Sequence, residues 1–145
     1  MSKLIQSGEA KKLDTPQFPA VSLLELAGHW LAGKAAGASG DARAMIGHLE
    51  KAVAAEDALP CMEPACWPLP VRPTLGSALL QSGDAIRAEQ TFREDLKRWP
   101  RNGWGLFGLE QSLRAQGKNE AAEDVRRQFQ KVWKNADVKL NLSWF

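Results

Sequence analysis

The sequence predicts an all-α chain of three helix–turn–helix hairpins followed by an extended C-terminal tail. Two observations carry this reading. Sliding the chain by 34 residues pairs Leu75 with Leu109, Leu79 with Leu113, Gly83 with Gly117 and Ala88 with Ala122. The same shift pairs Glu89 with Glu123, Arg93 with Arg127, Lys97 with Lys131 and Trp99 with Trp133. A shift of 43 then matches Gly33 to Gly76, Ala35 to Ala78 and Gly40-Asp41-Ala42 to Gly83-Asp84-Ala85. Self-similarity at such periods marks stacked supersecondary units. The matched residues are also those a helical hairpin needs. Leu75 and Leu79 stand one turn apart on a helix face, Gly83 stops the helix, and Ala88 admits a close neighbour.

Six helices follow in order, at about 20–38, 41–57, 70–82, 85–98, 103–116 and 119–135. The hairpin turns are Ser39-Gly40-Asp41, Ser82-Gly83-Asp84 and Gln116-Gly117-Lys118, each with Gly where a helix ends. Pro100-Arg101-Asn102-Gly103 closes the fourth helix, and Asn102 suits the N-cap of the fifth. The longer offset places extra residues between the first and second copies. There Leu59-Pro60-Cys61-Met62-Glu63-Pro64-Ala65-Cys66-Trp67-Pro68 reads as a stiff extended connector, because Pro removes amide donors and restricts the preceding residue. Residues 1–17 are polar and expected to be loose. The end, Val138 to Phe145, alternates apolar and polar residues as an extended segment does, and Leu140, Leu142, Trp144 and Phe145 should draw it back onto the last helices.

Composition narrows the function classes. A chain of 145 residues suits one domain, and 44% hydrophobic residues are too many for wholesale disorder. Two Cys make no disulfide scaffold, and no stretch is apolar for long enough to span a membrane. A net charge of +2 points to neither nucleic acid nor anionic lipid as a partner. The start lacks the apolar run of a secretory signal, so a cytoplasmic location is expected.

The second copy carries Leu75-Gly76, Leu79, Gly83, Ala88, Phe92, Leu96 and Pro100 at spacings that resemble the tetratricopeptide repeat. The third keeps Leu109, Leu113, Gly117 and Ala122 but has Glu110 where a small residue is usual and Arg126 where an aromatic is usual. The first has Met45 and Leu49 at the small and aromatic positions. Met62-Glu63-Pro64, Trp67, Pro70-Val71-Arg72, Phe92 to Leu96, Asn102-Gly103-Trp104, Leu106 to Leu109 and Ala136-Asp137-Val138 resemble, more narrowly, the C-terminal end of long bacterial tetratricopeptide-repeat proteins. Cys61 and Trp144 depart from that pattern, where Tyr and Arg are expected.

The resemblance implies a single domain over residues 18–136, with repeats at about 27–58, 69–100 and 103–134, a connector at 59–69 and a tail at 137–145. It implies a superhelical stack whose concave groove is lined by Trp30, Lys34, Ser77, Gln81, Trp104, Phe107, Gln111 and Arg114. The expected function is a non-catalytic interaction module binding a peptide or partner helix. Trp104, Phe107, Gln111 and Arg114 are the main expected contacts, with Lys34 and Gln81 beside them. Trp104 would supply apolar area, and Arg114 would recognise a carboxylate or carbonyl. Trp104 and Phe107 can equally be core residues or a dock for the tail. The Lys and Asn set with which some relatives clamp a peptide's terminal carboxylate is absent. The alternative is an end-cap or self-assembling fragment of a longer solenoid, motivated by Leu23, Leu24, Leu26 and Leu31 on the first helix.

No enzymatic chemistry stands out, and no cofactor or resident metal is expected. Cys61-x4-Cys66 near His48 is looser than the usual structural zinc spacing and is crowded by prolines. His29 and His48 fall on helical patterns and read as half-buried or surface residues. Glu94-Asp95 and Glu123-Asp124 are neighbours about 100° apart around a helix, which is not a paired acid–base arrangement. Arg93, Lys97, Arg98 and Arg101 sit where cations favour the end of a helix dipole.

Overall fold

Positive backbone φ falls on Gly40 (82°), Gly83 (90°) and Gly117 (73°), the three glycines at which the sequence expects helices to stop. Each sits in the same hydrogen-bonded turn. The amides of Asp41, Asp84 and Lys118 donate to the carbonyls of Ala36, Leu79 and Leu113 at 2.9, 2.9 and 3.0 Å. These are Schellman closures, in which a left-handed residue lets an amide beyond the helix reach back to an orphan carbonyl. Their positions repeat with the offsets of 43 and 34 residues read from the sequence.

A computed structural model of the chain describes residues 8–15, 18–60 and 67–141. It contains α1 (Ala20–Ala38), α2 (Ala42–Asp57), α3 (Val71–Gln81), α4 (Ala85–Arg98), α5 (Gly103–Ala115) and α6 (Asn119–Trp133). Their bounds lie within two residues of the expected ones. The caps explain the starts. Asp41 accepts from the Ala44 amide at 2.9 Å, and Asp84 accepts from the Arg87 amide at 3.1 Å. Lys118 precedes α6 without capping it through its side chain. Ala10–Leu13, in the stretch expected to be loose, form a 3-10 turn with Ala10 buried.

The chain divides into two compact units, Met1–Val71 and Arg72–Phe145. In the first, α1 packs on α2 around Leu26, Leu49 and Ala52, all fully buried. The close approach falls at Gly33, where a Cβ would stand 3.0 Å from Leu49 Cγ. Within the same unit the Val71 amide donates to the Glu56 carboxylate, with both oxygens at 3.2 Å.

In the second unit the core gathers Leu75, Leu79, Ala88, Phe92, Leu106, Leu109 and Leu113. Phe92 is fully buried and meets two glycines: a Cβ at Gly76 on α3 would stand 2.6 Å from its ring, and one at Gly108 on α5 would overlap it. The aromatic at position 92 thus joins three helices. A second tie is Glu89 of α4, which accepts from Lys118 Nζ (2.7 Å), Gln116 Nε2 (2.8 Å) and Arg93 Nε (2.9 Å). The Lys118 bond, before the others, pulls its carboxyl down to about 2.

After α6 the described chain carries no strand. It turns back far enough for Trp133 Nε1 to donate to the Val138 carbonyl at 2.8 Å, and Leu140 is half-buried. The remaining tail residues, Leu142, Trp144 and Phe145, lie outside the described residues, as do Cys61, Met62 to Ala65, Cys66 and residues 1–7.

Candidate functional site

Trp104, Phe107, Gln111 and Arg114 recur along α5 at the spacing of one helix face. The flank of α5 beside this stripe carries Gly105 and Gly108, which lie against Asp95 and Leu96 and against Phe92 of α4. Small residues there let α5 approach α4 closely.

The stripe itself meets α6 in antiparallel order. The rings of Trp104 and Trp133 form a T-shaped pair at 5.2 Å, and Phe129 stacks on Trp133 at 5.6 Å. Phe107 lies 5.8 Å from Phe129. Each such pair contributes roughly 0.5–1.5 kcal/mol beyond its buried area. The four rings make a continuous strip, and Trp104 still exposes 44% of its surface. Phe107 and Gln111 are half-buried. Trp133 and Phe129 complete the strip, although the sequence pattern does not single them out as contacts. The one signal for Trp133 is its 34-residue match to Trp99.

At the far end of the face, Arg114 is already engaged. Its Nε donates to Glu110 Oε1 at 2.9 Å and an Nη donates to Glu123 Oε2 at 3.1 Å. These carboxylates, Glu110 first, hold the guanidinium still more firmly protonated. Arg126 adds a longer ion pair to Glu123 at 3.8 Å. Glu110 is buried despite its charge, and its pairing with Arg114 accounts for a carboxylate where the repeat pattern wants a small residue.

The other expected contacts stand elsewhere. Gln81 ends α3, is exposed, and donates to Ser77 Oγ at 2.9 Å. Ser77 itself is buried. Lys34 belongs to the first unit, where its Nζ lies 6.0 Å from the Trp30 ring centroid. Trp30 in turn meets the edge of Trp67 at 6.2 Å. The structure therefore brings Trp104, Phe107, Gln111 and Arg114 together on one helix and leaves Gln81 and Lys34 on others.

Two polar arrangements escape sequence reasoning. Asp95, buried at the end of α4, accepts from Asn102 Nδ2 at 2.8 Å while its Oδ1 has no hydrogen-bond partner. Burial pushes its carboxyl up to about 6 against the opposing pull of Asn102 and Arg72. Asn102 also caps α5 by accepting from the Trp104 amide at 3.2 Å. In the first unit, His29 of α1 and His48 of α2 meet through their Nδ1 atoms at 3.2 Å. Among the described residues, no group of three or more His, Cys, Asp or Glu side chains is placed to hold a metal ion. No helix among them is long and apolar enough to cross a membrane. No protein-family model, curated protein or solved structure matches the chain.

Proposed function

We propose that the chain is a non-catalytic protein-interaction module built of tetratricopeptide-like hairpins in a superhelical stack, acting in the cytoplasm. Its partner is a peptide or helix that lays an apolar side chain against α5. The observation that supports this reading is the strip of Trp104, Trp133, Phe129 and Phe107, a large aromatic surface with Trp104 left 44% exposed. Aromatic side chains of this kind dominate binding energetics where a partner excludes water from them. Arg114 is tied to two carboxylates, so a partner's carboxylate must compete with Glu110 and Glu123 for it. The aromatic end therefore carries more of the contact than the cationic end. Gln81 and Lys34 are assigned secondary polar roles.

Selection of peptides from a displayed random library, followed by titration of the selected peptide, tests the site. Trp104→Ala and Phe107→Ala, each shown to be folded by circular dichroism, should weaken binding by about tenfold or more. Unchanged affinity in both variants would remove this face from the reading.

The end-cap alternative has its own support. Arg126 occupies the place that Phe92 fills one repeat earlier, and Glu110 replaces Gly76. Terminal repeats of stacked arrays carry such polar outer faces. The self-assembly version is weaker: Leu26 is fully buried, and of the leucines that motivated it only Leu31 is exposed.

A further inference from the structure

We propose that the hydrogen bond between His29 and His48 is an acid-released latch on the α1–α2 hairpin, closed while the pair carries at most one positive charge and opened by a second. The two Nδ1 atoms, one from each helix, lie 3.2 Å apart, with ring centroids at 5.5 Å and planes at 37°. A head-on contact of this kind holds one proton between its two nitrogens. In the neutral pair one ring donates Nδ1–H to the bare Nδ1 of the other, and the accepting ring keeps its own proton on Nε2. The first added proton goes to the free Nε2 of the donating ring. That ring becomes an imidazolium whose Nδ1–H still donates, so the bond is kept and gains the strength of a charged donor. The second added proton has no place but the accepting Nδ1. Two N–H groups would then point at each other between two cations, and the rings must part.

Helix packing keeps the pair from sidestepping that clash. One turn beyond His29 on α1, Gly33 lies against Leu49, the residue after His48 on α2, and Gly37 lies against Met45. Leu49 is fully buried, while both histidines are half-buried and so exchange protons with solvent. Burial is the first influence against a charge on His29, followed by His48 and then Lys51 of α2. Glu25 of α1 favours the charge and acts least. Together they hold His29 below the ordinary histidine range. Ala10–Leu13, also packed on α1, carry Lys11 and Lys12, both exposed, and Lys12 is paired with Glu9.

An unfolded chain charges both histidines as pH falls below about 6.5, whereas the closed hairpin resists the second charge until lower pH. The stability of the closed form is therefore fully present above about pH 6.5 and is lost as pH falls below it.

The full chain with 15N-labelled histidine tests the latch by NMR without any substitution. At about pH 7.5 a coupling between the two Nδ1 nuclei across the hydrogen bond should be present. It should persist through the first protonation and vanish with the second. Hydrogen exchange of the α1 and α2 amides, corrected for intrinsic rates, should lose about tenfold in protection between about pH 7 and 5, the effect of a pKa difference of about one unit. In His48→Gln, whose new side chain stays neutral, that loss should be smaller and His29 should titrate at higher pH. Absence of the Nδ1–Nδ1 coupling, its survival after both histidines have titrated, or an equal loss of protection in His48→Gln would overturn the proposal.

Discussion

Asp95 shows how one side chain can set a pH dependence. It is 1% exposed, one of its oxygens has no partner, and its folded-state pKa lies near 6, against 3.8 for the free side chain. A carboxyl raised in this way contributes most favourably below about pH 3.8, where it is neutral in both states. That contribution is lost as pH rises through 6, because ionisation is easier in the unfolded chain. A rise from 3.8 to about 6 corresponds to about 3 kcal/mol. We predict that wild type loses stability relative to Asp95→Asn between about pH 3 and 7 by an amount of that order. Thermal or urea unfolding of both chains across the series measures it, and the difference cancels groups common to both, His29 among them. Glu89 acts in the opposite sense: its depressed pKa gives stability that is lost only as pH falls below about 4.5 toward 2. A difference between the two chains that stays flat across the window would show that Asp95 is solvated or paired after all. Nothing in the sequence marks this residue beyond its adjacency to Glu94, because its burial is created by Gly105 arriving from another helix.

Helix boundaries are legible in the sequence because their determinants are local. A glycine at positive φ stops each first helix, and Asp41 and Asp84 cap two of the second helices. The repeat of those signals at 34 and 43 residues can be read from one chain. Helix-to-helix contacts are not legible, since a glycine inside a helix looks the same whether or not a ring presses on it. Gly108 and Gly117 separate the two cases. At Gly117 a Cβ would meet nothing within 4 Å, so Gly117→Ala costs only its left-handed conformation, about 1–2 kcal/mol. At Gly108 the conformation is helical, where Ala is intrinsically favoured over Gly by about 1 kcal/mol, yet a Cβ would enter the Phe92 ring. Phe92 is fully buried and already hemmed by Gly76, so it has little room to yield. Overpacking of this kind costs about 1–3 kcal/mol. We predict that Gly108→Ala destabilises the chain in urea unfolding despite the gain in helix propensity, and that shortening the ring in Gly108→Ala/Phe92→Leu restores part of the loss. A stabilising Gly108→Ala would mean that α5 does not cross α4 there. The face of α5 that carries Trp104 and Phe107 is legible as a stripe, but its covering by Phe129 and Trp133 of α6 is not.

For the molecule as a whole, the question is which surfaces are built to be covered. The α3–α4 hairpin presents Gly76, Glu89 and Phe92, and α5 with the turn before α6 covers them. One repeat later the corresponding residues are Glu110, Glu123 and Arg126. The carboxylates face Arg114 and Arg126 in a shared ion-pair network, and Arg126 is exposed. Covering that patch would desolvate four charges whose mutual attraction in water is modest, so another apolar hairpin or a second copy of the chain is disfavoured there. The polar centre thus leaves the aromatic strip beside it as the surface on which a partner gains most from excluding water. Arg126→Phe tests this division. It restores the residue type of position 92, removes a charge from the network, and enlarges the apolar area next to Phe129 and Trp133. We predict a folded chain that self-associates in a concentration-dependent manner, seen in sedimentation velocity as a faster species absent from wild type at the same loading. Adding Trp104→Ala to that variant should reduce the association if the strip and the new phenylalanine act as one surface. A monomeric Arg126→Phe chain would show that charge at this position does not govern association.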